Sequence, residues 1–101
     1  MSANAVRGEA ALVVGGETLV LRPSFAALVA AEAELGPLFA LVERAAEGRL
    51  CLSEMVGLFW HCLREPFAGG RGVFSEGVVA GGLVAATPAL KMLVRQILAG
   101  R

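Results

Sequence analysis

Apolar and polar positions alternate in the first third of the chain and then recur at helical spacing. Gly8–Val14 and Glu17–Arg22 flank Gly15-Gly16, a two-residue hairpin turn signal. That turn sets Val14 opposite Glu17, Leu12 opposite Leu19, Ala10 opposite Leu21 and Glu9 opposite Arg22. One face then carries Ala10, Leu12, Leu19 and Leu21. The other carries Val13 with Thr18, Ala11 with Val20, and the opposite-charge pair Glu9–Arg22. This second face is partly polar and is available to solvent or to a partner. A lone hairpin is marginal in water, so this one must pack on helices or pair with another chain.

Pro23 ends the strand, and Ser24 is suited to cap a helix over Ser24–Leu35, with Phe25, Leu28 and Leu35 on one stripe and Gly36 as its stop. Pro37–Glu47 predicts a second helix, with Leu38, Leu41, Val42 and Ala45 at helical spacing. After a connection at Arg49–Leu52, Ser53 starts a third helix over Ser53–Glu65, and Glu54 sits where the helix dipole favours an anion. Its apolar stripe is Val56, Phe59, Trp60 and Leu63. Pro66–Phe74 reads as a Gly-rich loop, and Ser75-Glu76 opens a fourth helix to Ala86 that must tolerate Gly81-Gly82 in its interior. Thr87-Pro88 then starts a fifth, Pro88–Ala99, with Leu90, Leu93, Val94, Ile97 and Leu98 inward and Lys91 and Arg95 outward. The fold class is mainly α (α+β): an N-terminal β-hairpin followed by about five short helices in one domain over residues 7–101. Residues 1–6 read as a flexible N-terminus.

Composition sharpens this picture. Of the 101 residues 56% are hydrophobic and 18% charged, and nine Lys+Arg balance nine Asp+Glu. A nucleic-acid binder of this size carries a basic excess, so no nucleic-acid partner is expected. The apolar share is too high for a disordered tail. It is also too high to be hidden entirely in a chain that leaves about a third of its unfolded-state surface exposed, so self-association or a protein partner is expected. The longest stretch without a charge, Gly77–Leu90, is too short for a membrane span. The N-terminus lacks a basic leader followed by an apolar core, so no membrane and a cytoplasmic location are expected, with Cys51 and Cys62 reduced.

The inventory for chemistry is thin. All nine acidic residues are Glu, and the chain has one His (His61), one Trp and no Tyr. Cys51, His61 and Cys62 supply three nearby zinc donors where a structural site needs four, so no metal and no cofactor are expected. Glu43 and Glu47 with Arg44 read as a solvated helix face. Gly69-Gly70-Arg71-Gly72 lacks the ending of a phosphate-binding loop. It reads as a surface loop in which Arg71, flanked by Phe67 and Phe74, can make a partner contact. The small-residue face around Gly81-Gly82 serves either close packing within the domain or a subunit contact. Trp60 is either core or an interface anchor.

The N-terminal third carries a family resemblance. Arg7-Gly8-Glu9, a short strand, Gly15-Gly16, then Leu21-Arg22-Pro23-Ser24-Phe25 and an Ala-rich helix with Glu32 ending at Leu35-Gly36 resemble the small tail proteins of gene transfer agents and related siphophage-like elements. Members are described either as tail assembly chaperones or as tail tube proteins. The layout of the remaining chain is similar. The resemblance implies a non-enzymatic tail assembly chaperone whose partners are the tape measure protein and the tail tube protein, with a possible homo-oligomer. The alternatives are a structural tail component (tail tube or tail completion subunit) or a small protein-binding adaptor. On this reading the client surface is expected at Val13 and Val20 on the outer hairpin face and at Phe67, Arg71 and Phe74.

Overall fold

A computed structural model describes residues 8–99; the expected flexible segment at 1–6 lies outside the described residues. The order is β1 (Ala10–Val14), β2 (Glu17–Leu21), α1 (Phe25–Leu35), α2 (Leu38–Ala46), α3 (Leu52–Cys62), α4 (Gly70–Ala80) and α5 (Leu83–Ala99). The hairpin has the register expected, from Val14 opposite Glu17 to Ala10 opposite Leu21. Gly15 and Gly16 both have positive φ, 59° and 81°, which a tight turn matched to the strand twist requires. Ala10, Leu12, Val14 and Leu21 face the core, where β1 meets α4 and α5. The radius of gyration, 12.2 Å, is that of a single domain of this length.

The central helix is α3, which buries Met55, Val56, Leu58, Phe59 and Cys62. It starts one residue before the expected Ser53, with Cys51 at the cap position and Glu54 accepting the Cys51 N–H at 3.0 Å. It also ends three residues early. Leu63 turns extended and bridges to Leu21, while Arg22 N–H donates to the Cys62 carbonyl and Arg64 N–H to the Val20 carbonyl. Residues 62–64 thus run along the outer edge of β2 as a short third rung, satisfying groups that a longer helix would have left open.

Ser24 caps α1 as expected, its hydroxyl accepting the Ala27 N–H at 3.2 Å. The stripe on α1 is rotated from the expected one: Ala31 is buried, Leu28 and Leu35 are half-buried, and Phe25 is exposed. Glu32 accepts the Leu38 N–H at 3.0 Å, filling an orphan donor at the start of α2 across an 86° bend.

The last two helices divide differently from the expectation. The expected loop through Phe74 is already helix from Gly70, because Phe74 is fully buried against Trp60 and Phe67 and that packing outweighs the poor helix propensity of glycine. Ser75 is therefore interior, its hydroxyl bonded back to the Arg71 carbonyl at 2.8 Å. Gly81-Gly82 forms the break between α4 and α5, Gly82 having φ 89°, and is not helix interior. Pro88 lies inside α5; the carbonyl its ring would displace belongs to Val84, which is exposed to water. Gly77 brings α4 close to β1, where an added Cβ would lie 2.5 Å from Val14 Cγ1.

Glu9, just ahead of β1, is buried. Its carboxylate lies 3.0 Å from Arg64 and 3.4 Å from Arg22, and its carbonyl accepts Gln96 Nε2 of α5 at 2.9 Å. The expected Glu9–Arg22 pair is therefore part of a buried junction joining the hairpin, the segment after α3 and α5. Among the described residues no single helix is long and apolar enough to cross a membrane.

Candidate protein-binding groove

The five residues expected to form a client surface do not share one face. Val13 is 60% exposed on the outer side of the hairpin. Val20 is only 6% exposed, which corrects its expected place on an open face: residues 62–64 pair along β2 beside it, the Val20 carbonyl accepting the Arg64 N–H. Phe74 is fully buried, and this too corrects the expectation of a loop contact. Phe67 is half-buried, its ring centroid 5.6 Å from that of Phe74 in an edge-on arrangement. Trp60 is half-buried on the other side of Phe74, at 5.5 Å. These three rings hold α3, the following segment and α4 together.

Arg71 is also engaged within the molecule. Its guanidinium makes two bonds to the Glu34 carboxylate, at 2.7 and 2.6 Å, and His61 Nε2 lies 2.7 Å from the same carboxylate. The cluster ties α1, α3 and α4 at the surface. The Arg71 bonds first, and His61 second, lower the Glu34 pKa from 4.5 to about 2. With His61 held here, and Cys51 and Cys62 at opposite ends of α3, the three do not converge. Burial pushes the Cys62 thiol up to about 12, whereas Cys51 is exposed. Among the described residues no group of three or more potential ligands could hold a metal ion.

A groove lies on another part of the surface. It has a volume of about 660 Å³ and runs between α5 on one side and the end of α2 with the start of α3 on the other. Its α5 wall is a stripe from Leu83 through Leu90 and Val94 to Leu98, which at the helical rise spans about 22 Å. Leu50, Leu52 and Met55 form the facing wall. Leu52, Leu83 and Leu98 are each about half exposed, an unusual state for leucines grouped along one groove. Lys91 and Arg95 also line it, one turn apart on α5. The Thr87 hydroxyl is already bonded to the Leu83 carbonyl, at 2.9 Å.

The groove exists because α5 is apolar on more than one side. Ala86, Ala89 and Leu93 are buried, and Gln96 with them. The residues expected to share that inward face divide: Leu93 alone is fully buried, Leu90, Val94 and Ile97 are half-buried, and Leu98 is exposed. The sequence carried this signal as an apolar arc too wide for one helix–core contact. Which part of the arc stays open depends on where α2 and α3 end.

The hairpin-and-helices architecture defines a small α+β domain with an open apolar groove on its surface. The family model described as "Phage tail tube protein, GTA-gp10" matches residues 7–100, and the chain belongs to that family of phage and gene-transfer-agent tail proteins. No curated protein and no solved structure matches the chain.

Proposed function

We propose that this tail-family protein is a non-enzymatic assembly chaperone that holds an aggregation-prone helical segment of the tape measure protein while tail tube subunits assemble around it. The observation that carries the reading is the groove: apolar, open at the surface, about 22 Å long and lined by half-exposed leucines. Helix-in-groove recognition needs such a surface, and a client helix would bury what is otherwise unfavourable contact with water. The described residues contain a single two-stranded sheet, little strand for a tube wall built from β-sheet. The chain would act in the cytoplasm, before the particle is complete.

A structural tail role is the second reading, favoured by the description of the family as a tail tube protein. One experiment separates the two. The chain is co-expressed with the long tape-measure-like protein from the same gene cluster, and both the soluble fraction and purified particles are analysed. A chaperone co-purifies with that protein, raises its soluble fraction and is absent from particles. Presence in particles, with the long protein insoluble and unbound, overturns the chaperone reading in favour of the structural one.

A further inference from the structure

The groove combines two properties that together select an occupant. Its walls are apolar along roughly four turns of α5, and Lys91 and Arg95 both lie along it. Neither cation has an ion pair among the described residues, and two carboxylates of the α2–α3 segment, Glu54 and Glu47, are already paired with Arg44 and, at 2.6 Å, with Arg49. Lys91 and Arg95 are thus the charged residues that line the groove, beside exposed leucines, and no acidic residue among those described lines it with them. A small polar ligand would need convergent polar groups on the floor, but the Thr87 hydroxyl is committed to the backbone of α5. A basic or uniformly apolar partner would leave the two cations uncompensated beside it.

We infer that the groove binds an amphipathic helix of about four turns whose apolar stripe is flanked by glutamate or aspartate, the acidic side chains one turn apart to meet Lys91 and Arg95. The leucines of α5 and the opposite wall provide the contact area, and the two cations set the orientation and exclude basic helices. The inference rests on the chaperone reading only for the source of that helix: it specifies which segments of the client are held, namely acidic amphipathic ones.

The test uses the full-length chain and three synthetic peptides of about four turns: an apolar stripe flanked by glutamates, the same stripe flanked by lysines, and a scrambled glutamate peptide. Binding is followed by fluorescence anisotropy at low and high salt. The acidic peptide is expected to bind at least about tenfold more tightly than either other peptide, with the difference shrinking in high salt. The double variant K91E/R95E should reverse the preference, and L98E, at a half-exposed position, should abolish binding while the thermal melt stays unchanged. Equal binding of acidic and basic peptides, or an unaltered preference in K91E/R95E, overturns the inference. So does a wild-type dimer that L98E converts to a monomer, because a second copy then covers the groove. The two readings fail separately. If L98E and K91E/R95E still solubilise the tape measure protein, the groove assignment falls and the chaperone reading stands. If the acidic peptide binds but that protein is never captured, the groove stands and its client is a different protein.

Discussion

The buried junction at Glu9 gives an asymmetric expectation. The Glu9 side chain is 1% exposed, whereas its partners Arg64 and Arg22 keep 24% and 43% of theirs in water. Removing a partner from a buried pair costs about 3–5 kcal/mol when the charge left behind cannot reach solvent. In Arg64→Met the stranded charge is the carboxylate. It keeps Arg22, which is more distant and better hydrated, so the expected cost is about 2–4 kcal/mol. In Glu9→Gln the charges left are two guanidiniums with a path to water, and the amide oxygen still accepts a hydrogen bond; about 1–2 kcal/mol is expected. In the double variant no buried charge remains, so the two costs should fall short of additive by about 1–2 kcal/mol. Urea unfolding followed by the fluorescence of Trp60, the single tryptophan, measures all four proteins. At this size each kcal/mol moves the melting temperature by about 4–8 °C, so a thermal melt is a sufficient check. If Glu9→Gln costs as much as Arg64→Met, or if the costs simply add, carboxylate burial is not the source of the effect.

Three other outcomes follow from the geometry. Gly77→Ala should destabilise by about 1–2 kcal/mol in urea unfolding, because the new Cβ overlaps the stiff, buried Val14 and this outweighs the gain in helix propensity; a stabilised variant would show that α4 can move off β1. The Glu34 carboxyl is at about 2 when folded against 4.5 in its ordinary state, so the unfolded chain binds more protons between those values. The contribution of the Glu34–Arg71–His61 cluster is thus present above pH 4.5 and lost as pH falls towards 2; Glu34→Gln should flatten the stability–pH curve in that window, and an identical slope would refute the assignment. Iodoacetamide at pH 8 should modify Cys51 and spare Cys62 until denaturant is added, as read by intact-mass spectrometry, and two labels on the native protein would contradict the burial of Cys62.

The hairpin could be read from the chain alone because its determinants are local. Two adjacent glycines permit a turn with positive φ, and a period of two then sets every cross-strand partner from Val14–Glu17 to Ala10–Leu21 and brings Glu9 and Arg22, just beyond, within ion-pair reach. The Ser24 cap and Gly36 stop of α1 are local for the same reason. The hydroxyl and the chain reversal act within a few residues, whatever packs elsewhere. The apolar excess likewise implied exposed apolar surface before any fold was known.

Tertiary contacts decided the rest. The third helix stops at Cys62 because the edge of β2 offers residues 62–64 backbone partners some forty positions away in sequence. The fourth helix starts at Gly70, since Phe74 fits between Trp60 and Phe67 and the bidentate Arg71–Glu34 pair joins it to α1. Those contacts place Phe74 in the core and engage Arg71, and they could not be foreseen from a stretch whose glycines locally favour a loop. The groove is the clearest case. Periodicity shows that α5 has more apolar surface than one face can bury. Only the packing of Ala86, Ala89 and Leu93 into the core turns Leu83, Leu90, Val94 and Leu98 toward α2 and α3, with Lys91 and Arg95 beside them. Local chemistry determines which conformations a segment prefers, but whether an apolar side chain becomes core or binding surface depends on what the rest of the chain places opposite it.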